Sequence, residues 1–261
     1  MKKMFTLVLA ILMIASLFTA CGAAKAPETD LAYIKDKGKL VVGITDYAPM
    51  DYKDENGNWT GFDAEFAQLF AKELGVECAF YVIADWGKKF MELDTKQIDA
   101  VWNGMTITDA EKLNSSVSTP YVINAQVVVM KADAVANYAS TDAMAGLTIA
   151  VENGSAGQDA ANAIAGATIV PLQDQGAALL EVKAGTADAC VIDITMANAM
   201  TGSGTDYADL AAGISLTEEL YGVSFRKDSD VTAVFNDFMA KIKADGTLQA
   251  LADKYALTLA E

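Results

Sequence analysis

Lys39-Leu40-Val41-Val42-Gly43-Ile44 opens the succession that decides the fold. It is a short β-rich run after a glycine turn, and it reads as a strand. Asp54-Glu55-Asn56-Gly57-Asn58 is a polar turn between Tyr52 and Trp59, so a hairpin-like excursion is expected there. Phe62, Phe66, Leu69, Phe70 and Leu74 share one helical face, and Gly75 stops that helix. Glu77 to Ile83 reads as the next strand, Lys88 to Lys96 as a short helix, and Ile98-Asp99-Ala100-Val101-Trp102 as a third strand. The order β-α-β-α-β predicts a mostly parallel sheet covered by helices.

The same order returns further on. Leu147-Thr148-Ile149-Ala150-Val151 is a strand that runs into the loop Asn153-Gly154-Ser155-Ala156-Gly157. A small-residue helix is expected from Gln158 to Ala165, a strand from Ala167 to Val170, a helix from Gly176 to Ala184, and a strand over Ala187-Asp188-Ala189-Cys190-Val191-Ile192. Each half carries Asp-Ala just inside its third strand, at Asp99-Ala100 and Asp188-Ala189. Two lobes of one architecture follow. Ile123 to Met130 reads as the crossing between them, and Glu219 to Phe225 as the return. Two crossings make a hinge, and a hinge makes a cleft. Residues 31–123 and 219–261 are thus assigned to the first lobe, and 124–218 to the second. The helical tail, with Val231, Val234, Phe235, Phe238 and Ile242 at spacings of three and four, is expected to pack on the first lobe.

Composition narrows the function. The 261 residues hold 19 basic and 35 acidic groups, a net charge of -16, which argues against a nucleic-acid partner. Histidine is absent, so His-based triads, His acid-base steps and imidazole metal sites are excluded. Arg226 is the one arginine. Met1-Lys2-Lys3 followed by an apolar run to Ala20 reads as a secretory signal over residues 1–20. A small residue before Cys21 marks a bacterial lipoprotein signal, with Cys21 acylated and holding the protein to the membrane. Residues 21–30 read as a flexible tether. Cys78 and Cys190 lie in apolar strand-like runs and are expected to be free thiols.

Ten short motifs, in order, carry a resemblance over nearly the whole chain after the signal. They include Tyr47-Ala48-Pro49-Met50, Gly61-Phe62-Asp63, Ile98-Asp99-Ala100, Gly104-Met105-Thr106-Ile107-Thr108, Pro120-Tyr121, Tyr221-Gly222-Val223 and Lys243-Ala244-Asp245-Gly246-Thr247-Leu248. The sequence resembles the extracellular solute-binding proteins of amino-acid-type ABC importers. The resemblance implies a type II periplasmic-binding-protein-like fold, α/β and two-lobed, closing on a small ligand without catalysis. It also implies an ABC permease as partner, a monomer, no cofactor and no metal. Tyr47 and Trp86 stand where the family places its aromatic walls. Asn103, Gly104, Met105 and Thr106 form the loop that offers a carbonyl to the ligand's ammonium and a hydroxyl to its carboxylate. Ser155 and Ala156 match a second-lobe loop whose backbone N–H groups suit a carboxylate, and Asp193 matches the ammonium-binding acid. Trp102 reads equally well as pocket floor or as core.

One position departs. The family's carboxylate-clamping arginine falls at Glu111. Thr108-x-x-Glu111 also reads as a capping box. Lys112, next door, offers a point charge but no planar fork. Three readings stay open: an amino-acid receptor using Ser155, Ala156, Thr106 and Lys112; a receptor for a cationic amine among Tyr47, Trp86, Glu111 and Asp193; or an enzyme on the same fold, such as a dehydratase.

Overall fold

A computed structural model describes residues 29–261. The signal segment, Cys21 and the tether up to residue 28 lie outside the described residues. The tether stops sooner than its polar sequence suggests. Thr29 caps helix α1 (Asp30–Lys37) through its side chain, and Asp30 opens that helix instead of ending the linker. The Asp30 carboxylate accepts from Arg226 Nε at 2.8 Å, which ties the start of the described chain to its C-terminal third.

The first lobe is built on β1 (Lys39–Ile44), the hairpin β2 (Tyr52–Lys53) and β3 (Trp59–Thr60), β4 (Glu77–Val82), β5 (Ala100–Val101) and β6 (Ser116–Val117). A first crossing, β7 (Val122–Asn124), leads to β8 (Gln126–Lys131), β9 (Thr148–Glu152), β10 (Thr168–Leu172), β11 (Ala189–Asp193) and β12 (Leu210–Ser215). The return crossing is β13 (Glu219–Tyr221), and β14 (Ser224–Phe225) re-enters the first sheet. The two five-stranded sheets have the orders β4-β1-β5-β14-β6 and β10-β9-β11-β8-β12. The crossings pair antiparallel with each other, Tyr221 opposite Val122 and Glu219 opposite Asn124.

Each sheet is mixed. In the first, β4, β1 and β5 run parallel, while β14 runs antiparallel to both β5 and β6. In the second, β10, β9 and β11 are parallel and β8 is antiparallel to β11 and β12. The reading of Ile123 to Met130 as one crossing is therefore corrected. Only Val122–Asn124 crosses; Gln126–Lys131 is an inner strand of the second sheet. Phe225 likewise belongs to the first sheet and not to the hinge. An apolar β-rich run carries no signal for which of two sheets will pair with it.

Helices α2 (Phe62–Leu74), α3 (Lys89–Asp94), α4 (Asp109–Asn114), α5 (Ala156–Asn162), α6 (Gln175–Ala184), α7 (Ile194–Met200), α8 (Val231–Ala244) and α9 (Thr247–Lys254) cover the sheets. Phe66 and Phe70 of α2 meet Phe235 of α8 at ring separations of 5.5 and 5.2 Å, so the tail packs on the first lobe. Trp102 is fully buried in this aromatic group, 4.9 Å from both Phe66 and Phe235. It belongs to the core and not to the cleft. The repeated Asp-Ala pairs have a common cause. Asp99 Oδ2 accepts from Val41 N, and Asp188 Oδ2 from Thr148 N, both at 2.8 Å. In each lobe the aspartate before one strand ties down the backbone of its neighbour. Cys78 and Cys190 are free thiols, and burial pushes Cys78 up to about 12.

Candidate functional site

The lobes meet over a cavity of about 180 Å³. At ~30 Å³ of liquid volume per water this is room for about six waters, the scale of a small solute. Its walls come from the C-terminal ends of parallel strands in both sheets, where open α/β sheets bind ligands. From the first lobe come Trp86 after β4, the loop Asn103-Gly104-Met105-Thr106 after β5, and Lys89 and Glu111 from α3 and α4. From the second come Gln126, Glu152 at the end of β9, Ser155 and Ala156 after it, Gln175 and Asp193.

The lobes are closed at the rim. Asn153 Nδ2 donates to Asp85 Oδ1 at 2.9 Å across the gap. Gly154 and Gly87 touch backbone to backbone: a Cβ on Gly154 would lie 2.5 Å from Gly87 Cα, and Gly154 has φ +71°. Deeper in, the Tyr47 hydroxyl lies 2.5 Å from both Thr195 Oγ1 and Tyr221 OH. Thr106 Oγ1 donates to Glu219 Oε1 of the return crossing at 2.7 Å.

Nine of the ten ligand-site residues named from sequence border this cavity, and Tyr47 does not. Tyr47 is only 2 % exposed, and its ring packs behind Gly104, where a Cβ would meet Tyr47 Cε1 at 2.7 Å. That close approach, together with φ +55°, requires glycine at 104. Tyr47, expected in the cleft wall, bonds Thr195 of the second lobe and Tyr221 of the return crossing through its hydroxyl. Asn103 borders the cavity, but its amide is committed to Thr45 and Asp51. Ser155 Oγ accepts from Gln158 N and donates to Glu152 O, which shapes the loop. The N–H groups of Ala156 and Gly157, in the first turn of α5, have no partner within the helix.

The electrostatics explain Glu111. Its carboxylate is 3.4 Å from Lys89 Nζ, and both side chains are buried. Lys89 Nζ also lies 5.1 Å from the Trp86 ring and 5.0 Å from the Phe90 ring. Thr108 caps α4 by accepting from Ala110 N, and its hydroxyl bonds Glu111. The expected capping box is thus half formed: the Glu111 carboxylate bonds the Thr108 hydroxyl and Lys89 instead of the Thr108 backbone N–H. Lys112, named from sequence as the replacement cation, points away and pairs loosely with Asp109 at 3.7 Å, with 60 % of its side chain exposed. The buried cation of the site is Lys89. Sequence reasoning missed it because one lysine among many carries no mark of burial; its spacing of three from Trp86 was the available signal.

The second-lobe wall is acidic. Asp193 is 4 % exposed and accepts from the amides of Asn124, Gln126 and Gln175. Burial and the nearby Glu219 raise its carboxyl to about 7 against these hydrogen bonds. Burial raises Glu152 well above the ordinary carboxylate value, with Asp193 and Asp174 adding to it and Lys89 opposing. Among the described residues no group of acids, cysteines or histidines is placed to hold a metal ion. Around the cavity the described residues set one ammonium, Lys89, and the backbone N–H of Ala156 against a wall of carboxylates. That arrangement suits capture of a small zwitterion or cation.

Such a two-lobed capture protein has known counterparts. Residues 40–258 match the bacterial extracellular solute-binding proteins, family 3, and the chain belongs to that family. It is 30 % identical over 233 residues to the L-cystine-binding protein TcyJ of Escherichia coli, covering 88 % of this chain and 87 % of that one. A mutant of ArgBP from T. maritima superposes with a TM-score of 0.81 at 33 % identity, covering 87 % of this chain and 98 % of that one. An ancestral amino-acid-binding protein, AncCDT-1, described as a precursor of cyclohexadienyl dehydratase, superposes with a TM-score of 0.79 at 32 % identity over 86 % of this chain and 98 % of that one. The chain is a solute-binding component of an ABC importer and not an enzyme, so the dehydratase reading falls.

Proposed function

We propose that the protein captures an amino acid between its lobes, with the α-ammonium on Asp193 and the α-carboxylate on Lys89 and the backbone N–H of Ala156. The observation that carries this reading is Lys89, a buried ammonium on one lobe sharing a cavity with the buried carboxylate of Asp193 on the other. Lys89 takes the part of the absent arginine as a point charge, without its planar fork. Trp86 supplies an apolar wall. Relatives named for L-cystine and L-arginine binding support the ligand class. The closed lobes then present the loaded protein to an ABC permease. Acylation of Cys21 holds the protein, as a monomer, on the outer face of the membrane; Cys21→Ala should release it into the soluble fraction.

A second reading, a cationic amine without a carboxylate, is favoured by the four carboxylates (Glu111, Glu152, Asp159, Asp193) that the described residues set around the cavity against one ammonium. A thermal-shift screen against amino acids and amines separates the two, since binding to the native state raises the melting temperature. Glu111→Gln sharpens it. Releasing Lys89 from its pair should strengthen a carboxylate ligand about three- to tenfold, the scale of a single screened charge interaction. An amine should weaken by a similar factor. No stabilisation by any amino acid, with clear stabilisation by amines, would overturn the first reading.

A further inference from the structure

Glu152 is the acid in the cleft that the ligand positions above leave unused. It ends β9, is 4 % exposed and borders the cavity. Its Oε1 is buried and has no hydrogen-bond partner among the described residues. Asp193 differs, since three side-chain amides satisfy it. Among the described residues Lys89 is the one cation bordering the cavity, and Glu111 engages it. A buried carboxylate oxygen without a hydrogen-bond donor is costly, and the one cation that acts on it, Lys89, is already engaged by Glu111.

We propose that Glu152 is a second cation-binding group of the cleft, so that the preferred ligand carries an ammonium or guanidinium in addition to the amine on Asp193. This rests on the cleft being the ligand site. A charged donor docked on Glu152 supplies the missing hydrogen bond and a counter-charge at the end of β9. An uncharged side chain of the same length leaves Oε1 unpaired, and a site built to hydrogen-bond a group rejects the analogue lacking it. The surroundings add a second signature. Asp193 on β11, Asp174 before α6 and burial all favour protonated Glu152 in the empty cleft, with Lys89 on α3 opposing. Docking a cation must therefore expel a proton.

The test is titration calorimetry of the purified chain with L-lysine and with L-norleucine, its uncharged counterpart, in two buffers of different ionisation enthalpy. L-lysine should bind ~30-fold or more tightly, the scale for leaving one partner of a buried charge pair unpaired. Its binding should release more protons than that of L-norleucine. In Glu152→Gln the preference should shrink to within about threefold and the extra proton release should vanish. Equal affinities in the wild-type protein, or a preference that survives Glu152→Gln, would overturn the assignment while leaving the amino-acid reading intact. If neither compound binds and cadaverine does not bind either, both readings fall.

Discussion

The two lobes share a plan and differ in what they are made of. Asp99 and Asp188 stand at equivalent places and hold equivalent backbone groups. Asp99 is also enclosed by cations: Lys37 Nζ at 2.5 Å and Arg226 Nη2 at 3.1 Å, with its own side chain wholly buried. Asp188 is exposed and has no cationic partner among the described residues. The first lobe is filled by Phe62, Phe66, Phe70, Trp102, Phe225 and Phe235, whereas the second packs Val128, Met130, Ile149, Val151, Ala161 and Val191 on one face of its sheet. Large rings bury more apolar surface per residue and fix one another's orientation. The first lobe is thus the more heavily braced body. The second carries the acids of the cleft, Glu152 and Asp193, on a lighter frame.

The largest effect should come from the brace itself. Arg226 touches Asp30, Asp99 and the carbonyls of Leu93 and Ile98. Arg226→Met strips a buried carboxylate of a partner and should cost about 3–5 kcal/mol. Asp188→Ala removes one hydrogen bond at an exposed site and should cost about 1 kcal/mol or less. Urea denaturation of both variants measures the difference, and similar costs would break the comparison.

The rim gives a smaller contrast, read in binding. A Cβ at Gly154 collides with the backbone of Gly87, while one at Gly87 meets nothing nearer than 3.2 Å, a side-chain oxygen of Asp85. Gly154→Ala should hold the lobes apart and weaken ligand binding tenfold or more, with about 1 kcal/mol of backbone strain besides. Gly87→Ala should bind nearly as the wild type does. Calorimetry on the two variants decides, and equal affinities would mean that the rim contact plays no part in closure.

The smallest contrast lies in pH. Each lobe hides one carboxyl raised to about 7, Asp63 in the first and Asp193 in the second, chiefly by burial. In the unfolded chain both ionise near 3.8. Between those values the folded protein holds more protons than the unfolded one. These two groups therefore favour folding at the acid end of the window, and that contribution is lost as pH rises toward about 7. Melting temperatures of the ligand-free protein from pH 4.5 to 8 should show this fall, and Asp63→Asn or Asp193→Asn should each flatten it. Saturating L-norleucine should remove the share of Asp193 and leave that of Asp63, because an ammonium on Asp193 favours its charged form. A ligand that leaves the slope unchanged would place its ammonium elsewhere.

The sequence by itself determined the repeat, the hinge and most of the cavity loops. Strand and helix periodicity is local, and glycines such as Gly75 end elements wherever they stand. Trp86, the loop from Asn103 to Thr106, Ser155 and Asp193 follow strand ends, and strand ends in such sheets converge on a cleft. Tertiary structure alone decided three things. It set Tyr47 against Gly104 and joined its hydroxyl to Thr195 of the second lobe and Tyr221 of the return crossing. It chose Lys89 over Lys112, since burial beside Glu111 depends on how α3 faces α4, and residues distant in sequence carry no shared pattern. It also left Glu152 unpaired at the end of an apolar strand, where its place in the sequence reads only as a polar residue before a turn. Periodicity reports which face of an element is apolar; which charges come to lie within a few ångströms of one another is settled only when the lobes pack and water is excluded between them.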